Sequence, residues 1–368
     1  MDDYKALKII GFDYLEFAVA DLDRAAESYL RMGFEKVATR EILERQLRSH
    51  LMMQNGIAIL LSHSRLATDP VSAYVATHGD GLINIAFRCE DAVSALEVAV
   101  NRGAELAEAP KAYKKDFGSV QHASIKGIGD LRHSFVSREG FLFAEGFDVA
   151  TKSQNRGIGL EQIDHVGIVL EAGQLDRWAE FYSKILGLRE TQAFKIGGDT
   201  GVVHKVFESP DGVIKLLMTV PSSLTSPVQE FIDVHHGSGA QHAAFSTGNL
   251  VDALRLARRE GIKFMEVPDT YYADLPGRLP GIAEYLGELQ ELGILADGRP
   301  DGYLLQIYSQ NLVGPFLFEL IQRKGYTAFG EHNLRALYEV MERDQIRRGI
   351  GNAGSTNHNP EPGPSTPA

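Results

Sequence analysis

Three residues that commonly bind metal ions lie in apolar segments with a strand-like pattern: His165 in IDHVGIVL, His242 in GAQHAAFST and Glu319 in FLFELI. A lone histidine in a strand is more often a hydrogen-bonded core residue than a ligand. A buried glutamate without a cation is costly, and Arg323 is a candidate partner for Glu319 under that structural interpretation. Two histidines and one carboxylate are also the set that holds a metal ion on one face and leaves positions open on the other. The choice between these interpretations depends on how the rest of the chain places the three residues.

The chain repeats itself, and the repeat predicts the elements that carry these residues. IDHVGIVL and the helical pattern after it repeat FDYLEFAV and its following helix. The stretch GAQHAAFSTGNLVDALRLARREGIKF repeats GLINIAFRCEDAVSALEVAVNRGAEL. Self-similarity over segments of this length predicts duplicated βαβββ units, each packing a helix against a curled sheet. The expected fold is therefore α+β, with tandem βαβββ modules forming two open barrel-like domains.

The repeat and the composition predict four regions along the chain. An N-terminal module covers residues 1–150, a linker covers 151–162 and a C-terminal module covers 163–350. The last module ends in an amphipathic helix over about 330–348, which we expect to cover the barrel. Residues 351–368 are rich in Pro, Gly, Ser and Asn without periodicity, so we expect a disordered tail.

Comparison of the two halves predicts that the metal site belongs to the second half. Each candidate ligand stands opposite a residue of another type: Tyr14 opposite His165, Asn84 opposite His242 and Ala144 opposite Glu319. In alternating strands, residues of one parity face a common interior, and a curled sheet can bring distant positions to one point. Three such differences together favour a metal site with two histidines and one carboxylate.

The bulk properties of the chain favour a small-molecule partner. Its 368 residues are 44% hydrophobic and 23% charged, with a net charge of −12, which is unlike a nucleic-acid-binding or anionic-membrane surface. No stretch approaches the ~20 apolar residues of a membrane span, and the start MDDYKALKII does not resemble a secretory signal. The single cysteine, Cys89, excludes an intramolecular disulfide and a thiolate metal cluster. We therefore expect a cytoplasmic protein.

The second-half segments resemble a known family. IDHVGIV, GAQHAAF, LLQIYS, FLFELIQRKG and FGEHNLRALYEVMERDQIRRG are similar to the 4-hydroxyphenylpyruvate dioxygenase and hydroxymandelate synthase family, within the vicinal-oxygen-chelate (glyoxalase-like) superfamily. The resemblance extends to about residue 350. It implies that His165, His242 and Glu319 bind Fe(II), and that the N-terminal module has no metal. It also implies a dioxygenase that uses O2 to decarboxylate its own 2-oxo acid substrate and hydroxylate the remainder.

The same resemblance implies roles for residues around the metal. Gln306 matches a catalytic glutamine that reaches the substrate, and Asn333 is the retained asparagine of a motif that reads HNL in this chain. The positions expected to contact the distal part of the substrate are His204, Thr219, Pro227, Tyr308 and Leu334. The family usually has a serine, an asparagine and a glutamine at the first three positions and a phenylalanine at the last. We therefore expect a 2-oxo acid whose distal part differs from 4-hydroxyphenyl, or one held by different contacts.

Other functions fit the same modules. A hydroxymandelate synthase-type enzyme, or an oxygenase for another aryl or alkyl 2-oxo acid, would use the same metal set. An extradiol dioxygenase uses a similar triad on catechols, and LLQIYS and FELIQRKG argue for the 2-oxo acid branch instead. A non-catalytic binding protein of this fold would have no need of three metal ligands. The family also commonly assembles as dimers or tetramers, so we expect a homo-oligomer.

Overall fold

The computed structural model describes residues 6–149, 153, 155–197 and 201–349. The predicted tail at 351–368 therefore lies outside the described residues. Strand β9 begins at Leu160, inside the stretch predicted as a linker, so the second half starts earlier than expected.

Sixteen of the strands form two sheets of eight. The strands of the first sheet are β1 Ile9–Ala18, β2 Glu35–Ile42, β3 Leu47–Gln54, β4 Ile57–Ser64, β5 Gly81–Cys89, β6 Leu106–Lys115, β7 Gly118–Lys126 and β8 Arg132–Gly140. Those of the second sheet are β9 Leu160–Val169, β10 Arg189–Ile196, β11 Val202–Glu208, β12 Lys215–Pro221, β13 Gly239–Thr247, β14 Leu295–Arg299, β15 Gly302–Tyr308 and β16 Leu317–Lys324.

Nine α-helices of the described chain lie between these strands and one follows the last strand, and some of their ends have side-chain or glycine caps. The helices are α1 Leu22–Arg31, α2 Pro70–His78, α3 Ala92–Asn101, α4 Leu175–Leu186, α5 Pro227–His235, α6 Leu250–Arg259, α7 Asp269–Ala273, α8 Leu275–Arg278, α9 Leu286–Leu292 and α10 Glu331–Arg347. Asp21 caps α1 by accepting a hydrogen bond from the backbone N–H of Arg24, and Asp91 caps α3 in the same way. Gly187 ends α4 with a φ of 69°, in the left-handed region that favours glycine.

The strand order shows how the repeat is built. The first sheet runs β2-β3-β4-β1-β5-β8-β7-β6, and the second runs β10-β11-β12-β9-β13-β16-β15-β14. In each sheet the two central strands are antiparallel, and each of them has a parallel partner on its other side. Each sheet is thus two βαβββ units joined through their first strands. The predicted fold of tandem βαβββ modules is confirmed, with two units in each half.

Alternation along the strands separates the core from the site. Val166 and Ile168 of β9, with Phe245 of β13, belong to the main apolar core. The residues of opposite parity, including His165 and Glu319, face the other side of the second sheet.

One apolar core spans both halves of the chain. The ring of Phe17 on β1 meets the ring of Phe316 with centroids 4.9 Å apart, and Tyr29 on α1 meets Phe318 on β16 at 5.4 Å. These edge-on contacts bury large side chains from both halves together, which couples the halves in folding. Among the described helices, none combines the length and apolar character needed to cross a bilayer.

Candidate metal centre

Strand register brings His165, His242 and Glu319 to one face of the second sheet. Ala244 on β13 pairs with His165 on one side and with Glu319 on the other, so these three residues form one row across the sheet. His242 lies two positions before Ala244 on the middle strand and therefore points to the same face. The three candidate ligands thus come from three neighbouring strands rather than from loops.

The ligand atoms of these residues lie close together in a buried space. His165 Nε2 is 3.1 Å from Glu319 Oε2, and His242 Nε2 is 3.9 Å from the same oxygen. One ligand atom from each residue lies within 4.8 Å of the others. The exposed fractions are 2% for His165, 5% for His242 and 1% for Glu319, so bulk water does not solvate the carboxylate.

The site has polar atoms that nothing in the described chain satisfies. His242 Nε2 and both carboxylate oxygens of Glu319 are buried and make no hydrogen bond of good geometry among the described residues, and His165 Nε2 lies 3.1 Å from Glu319 Oε2. Buried polar atoms are almost always paired, because leaving a carboxylate unpaired away from water is costly. A divalent cation bound by two imidazoles and one carboxylate would satisfy all of them, so the residues fit a metal ion.

An ion pair behind His165 fixes the orientation of its ring. Asp164 Oδ1 lies 2.9 Å from His165 Nδ1, and Arg323 donates two hydrogen bonds of 2.8 Å to the Asp164 carboxylate. Burial would raise the pKa of Asp164, but the hydrogen bonds from Arg323 and His165 outweigh burial and hold that pKa well below its usual value. The interpretation of Arg323 as the partner of Glu319 is therefore corrected, because its hydrogen-bonded carboxylate is Asp164.

The two imidazoles have opposite electrostatic surroundings. Burial lowers the pKa of His165, but Glu319 and Asp164 outweigh it and raise the pKa overall. Burial and the neighbouring His165 lower the pKa of His242 well below its usual value. The His242 ring is therefore neutral and keeps a lone pair available on the side of the site.

The ring of His242 occupies space that only a glycine leaves open. A Cβ placed on Gly167 of β9 would lie 1.9 Å from Cε1 of His242. The register between β13 and β9 shifts between Ala240 and His242, which brings the imidazole over this glycine. Sequence reasoning missed Gly167, because a glycine in a strand does not reveal which side chain lies over it.

A chain of hydrogen bonds links Gln306, Tyr308 and Asn333 beside the centre. Gln306 Nε2 donates to the Tyr308 hydroxyl at 2.5 Å, and Asn333 Nδ2 donates to Gln306 Oε1 at 3.2 Å. The hydroxyl of Tyr271 donates to Asn333 Oδ1 at 2.6 Å. Burial and the nearby Glu319 raise the pKa of Tyr308 well above its usual value, so the phenol stays protonated. The structure thus brings the two predicted catalytic amides into one network that ends next to the candidate ligands.

The five predicted distal residues lie on five elements, with Tyr308 on β15. His204 on β11 pairs with Thr219 on β12, and their side chains are 2.8 Å apart at Nδ1 and Oγ1. Burial lowers the pKa of His204 to about 3, so its ring is neutral near pH 7. Leu334 on α10 packs in an apolar cluster of this half. Pro227 is the first residue of α5, a position where proline is favoured, so its presence there has a structural explanation.

Phe329 contacts the centre and was not predicted. Its ring centroid lies 4.7 Å from that of His165. The guanidinium carbon of Arg323 lies over the Phe329 ring, 5.6 Å from the ring centroid. Asp164 was missed as well, although an aspartate directly before a histidine is a local signal for an oriented imidazole.

In the first half, the positions equivalent to the three candidate ligands are occupied by polar residues that hydrogen-bond to one another. Ala86 on β5 pairs with Ser134 on β8, as Ala244 pairs with Glu319. The predicted match of Ala144 with Glu319 is therefore wrong, because Ala144 follows β8 and Ser134 takes the equivalent position. Ser134 donates to Asn84 at 3.0 Å, and Asn84 approaches the Tyr14 hydroxyl at 3.4 Å.

Comparisons with known proteins agree with this arrangement. The family described as hydroxyphenylpyruvate dioxygenase, HPPD, N-terminal matches residues 4–142, and the glyoxalase/bleomycin resistance protein/dioxygenase superfamily matches residues 162–275. A 4-hydroxyphenylpyruvate dioxygenase from Pseudomonas aeruginosa is 36% identical, over 92% of this chain and 95% of that protein. One from Legionella pneumophila is also 36% identical, over 92% and 95%. A solved variant of 4-hydroxymandelate synthase from Streptomyces coelicolor has a TM-score of 0.80 at 27% identity and covers 92% of this chain and 99% of its own.

Proposed function

This chain belongs to the 4-hydroxyphenylpyruvate dioxygenase family, and on that premise we propose that His165, His242 and Glu319 bind Fe(II) for the oxidative decarboxylation of a 2-oxo acid. The proposed reaction consumes O2, releases CO2 and hydroxylates the remainder of the substrate. The substrate would supply its own 2-oxo acid, so no separate 2-oxoglutarate is needed.

The observation that carries the proposal is the set of buried ligand atoms without partners. Nε2 of His242 and both oxygens of Glu319 have no hydrogen bond among the described residues, and one ligand atom of His165 lies within 4.8 Å of them. A structural carboxylate at this depth would need a cationic partner, and Arg323 is already bonded to Asp164. A protonated His165, 3.1 Å away, could pair with Glu319, but it would leave the buried Nε2 of His242 without a partner. A metal ion is the partner that suits two imidazoles and a carboxylate.

The chain's own residues would orient the reacting groups and exclude water. Fe(II), when bound, would supply a centre that chelates the 2-oxo acid and transfers electrons to O2. Asp164 holds the Nδ1 side of His165, which leaves Nε2 for the metal. The rings of Phe329 and Tyr308 lie against His165 and His242 and would help to keep water away from the ligand atoms.

We propose that Gln306 and Asn333 bind the polar end of the substrate. Their mutual hydrogen bond and the contact of Tyr271 with Asn333 restrict both amides to one orientation, which favours donation to fixed oxygen positions. The distal part would contact His204, Thr219, Pro227, Tyr308 and Leu334. The neutral His204 is hydrogen-bonded to Thr219, so this pair has fewer free hydrogen-bond donors than the asparagine and glutamine usual in the family. A pocket with fewer donors for a phenol supports a distal group other than 4-hydroxyphenyl.

The test is an assay of the protein loaded with Fe(II). Purified protein is reconstituted with Fe(II) under nitrogen, mixed with air-saturated buffer, and given a panel of aryl and alkyl 2-oxo acids that includes 4-hydroxyphenylpyruvate. We expect equal amounts of O2 consumed and CO2 released for at least one 2-oxo acid. Absence of turnover across the panel would contradict the proposed reaction, and turnover of catechols alone would replace it with an extradiol reaction.

A matched pair of variants tests the ligand assignment. His242→Ala should remove stoichiometric iron and activity, because it deletes one of three ligands. His236→Asn, at an exposed histidine with a φ of 59° that asparagine tolerates, should keep both. Full iron content and activity in His242→Ala would overturn the assignment.

A hydroxymandelate synthase-type product is the second candidate, and the structural similarity to that enzyme favours it. The two reactions differ in the carbon that is hydroxylated. Chromatography of the product from 4-hydroxyphenylpyruvate separates homogentisate from 4-hydroxymandelate, and the product formed decides between them.

We also propose a cytoplasmic homo-oligomer. The only cysteine, Cys89, is buried, and burial raises the pKa of its thiol to about 12, which suits a protein without disulfides. Sedimentation of the purified protein would report a dimer or tetramer, and a monomer would contradict that part of the proposal.

A further inference from the structure

The first half contains a cavity on the face that corresponds to the metal centre. Its volume is about 60 Å³, and Tyr14 and Asn84, which stand at the positions of His165 and His242, line it. The first half therefore has a cavity at this place in the fold, with Tyr14 and Asn84 where the second half has histidines.

Arg40 and two serines occupy the positions of the first half that correspond to the row proposed to face the substrate in the second half. In the second sheet, Phe194, His204, Thr219 and Val169 pair side by side across β10, β11, β12 and β9. The same register in the first sheet joins Arg40, Ser49, Ser62 and Ala18. Arg40 Nε donates to Ser49 at 3.1 Å, and Ser62 donates to Glu16 at 2.8 Å. A cavity without a ligand could be filled with apolar side chains at little cost, because burying polar groups is unfavourable. This cavity instead contains polar side chains that are hydrogen-bonded to one another.

Two arginines line the inner end: Arg40 donates to Ser49 and, at 3.2 Å, to the backbone oxygen of Glu145, whereas Arg132 keeps a donor without a partner among the described residues. Only 9% of the Arg40 side chain and 15% of the Arg132 side chain are exposed. Arg40 Nη2 is 3.9 Å and Arg132 Nη2 is 3.6 Å from the carboxylate of Glu16, both beyond hydrogen-bond length. Nε of Arg132 is buried and has no partner among the described residues. These N–H groups point to an acceptor that the described side chains do not supply.

The outer end of the cavity has the opposite charge. Glu108 and Glu145 line it with Lys111, while Arg45 is bonded to Asp69 at 2.7 Å. Burial lowers the pKa of His122, whose ring is therefore neutral near pH 7. Two arginines and one glutamate give the inner end a net charge of +1, and the free charges of the outer end give −1. The cavity is thus dipolar, and no net charge remains for a simple anion to neutralise.

We infer that this cavity of the N-terminal half binds a small zwitterion of the α-amino acid class, with its carboxylate toward Arg40 and Arg132 and its ammonium group toward Glu108. The distance of 3.8 Å between Arg132 Nη1 and Glu108 Oε1 places a donor and an acceptor as close as the two charged groups of an α-amino acid. A cavity of this volume has room for roughly four to six water-sized groups, since about 10–15 Å³ is enough to hold one water, and this limits the ligand to a molecule as small as glycine or alanine. Val120 and Val136 provide an apolar wall for a short side chain.

Calorimetric titration tests the inference on the full chain loaded with Fe(II) under nitrogen. Glycine and L-alanine should bind saturably, and acetate and methylamine, which each carry one of the two charges, should bind at least tenfold more weakly. Arg132→Met and Glu108→Gln should each weaken glycine binding about tenfold or more, because each removes a charge-assisted hydrogen bond. Arg48→Met, at an exposed arginine on β3, should bind glycine as the unchanged protein does.

The remaining outcomes contradict the inference. No saturable heat with either amino acid would mean that water alone fills the cavity, and equal binding of acetate would replace the zwitterion with an anion. Heat that persists in Arg132→Met would assign binding to another site, including the metal centre. Thermal melting of each variant, compared with Arg48→Met, shows whether weaker binding comes from the lost group or from unfolding.

Discussion

At the residue scale, the candidate metal centre depends on side chains that are not themselves candidate ligands. Asp164 and Arg323 form a buried ion pair whose carboxylate holds the His165 ring, and Gly167 leaves the space that the His242 ring occupies. The first half has the same ion pair in Asp13 and Arg138, next to Tyr14 instead of a histidine. The pair is therefore part of the shared scaffold, and the second half also uses it to orient an imidazole.

Replacing Asp164 should separate the stabilising and orienting roles of this pair. In Asp164→Asn we expect iron affinity to fall by about 10- to 100-fold, because the group that orients His165 loses its charge. The free energy of unfolding should fall by about 1–3 kcal/mol through weaker hydrogen bonds to Arg323. Asp13→Asn is the matched control, since it should cost similar stability and leave iron affinity unchanged. Iron titration against a competing chelator and urea unfolding measure both effects, and unchanged affinity in Asp164→Asn would contradict the orienting role.

A single methyl group at Gly167 should displace His242. Its Cβ would lie 1.9 Å from the imidazole, far inside contact distance, so we expect Gly167→Ala to lose most of its iron and activity. Gly11→Ala on β1 is the control, because its Cβ would meet Val213 at an ordinary 3.7 Å. Iron content per chain and thermal melting are the measurements. A Gly167→Ala protein with full iron content would show that the ring can move without cost.

At the scale of elements, α10 closes the site face of the second sheet through one polar chain. Tyr271, Asn333, Gln306 and Tyr308 are joined in sequence by hydrogen bonds of 2.5–3.2 Å. Asn333 has no exposed surface, and it connects α10 to both β15 and the segment before β14. The helix is therefore tied to the active face by satisfied buried polar groups as well as by apolar packing.

Removing the middle of this chain should affect stability and turnover together. In Asn333→Ala, Gln306 Oε1 loses its donor, so we expect the free energy of unfolding to fall by about 1–3 kcal/mol and kcat to fall with it. Arg335→Ala, at an exposed position of the same helix, should change the free energy of unfolding by no more than about 0.5 kcal/mol and kcat by no more than about twofold. Urea unfolding and O2-uptake kinetics test this, and normal kcat in a destabilised Asn333→Ala protein would limit the chain to a structural role.

At the scale of the whole molecule, the halves share one core that includes a buried histidine. His133 on β8 of the first half lies 2.8 Å from the hydroxyl of Tyr182 on α4 of the second. Both side chains are fully buried, and burial lowers the pKa of His133 from 6.5 to about 4. The contact between the halves is therefore built for the neutral form of this ring.

Acid should weaken the contact between the two halves at His133 and Tyr182. The pKa of His133 is lower in the folded state than in the unfolded state, so its contribution is complete above about pH 6.5 and is lost as the pH falls toward 4. The loss is roughly 3 kcal/mol, from about 1.4 kcal/mol per pKa unit. His133→Gln removes the titrating group, so its unfolding free energy should fall less between pH 7 and 4, while His236→Asn should follow the unchanged protein. Parallel pH dependence in His133→Gln would contradict this origin.

The sequence by itself determined the repeat, the strand and helix pattern and the chemical types of the candidate ligands. These features depend on periodicity and residue chemistry, which are local and can be read along the chain. The contrast of His165 and His242 with Tyr14 and Asn84 could be seen in the same way, because the segments around them align without gaps.

Only the tertiary structure decided which distant residues meet. The register of the parallel strands shows that Ser134, and not Ala144, is the residue of the first half equivalent to Glu319. The fold also brings Arg323 to Asp164 instead of Glu319. It also placed Gly167 under His242 and assembled the charged cavity of the first half from six separate strands. Register is set by packing and by bulges far away in the sequence, so no local pattern specifies it.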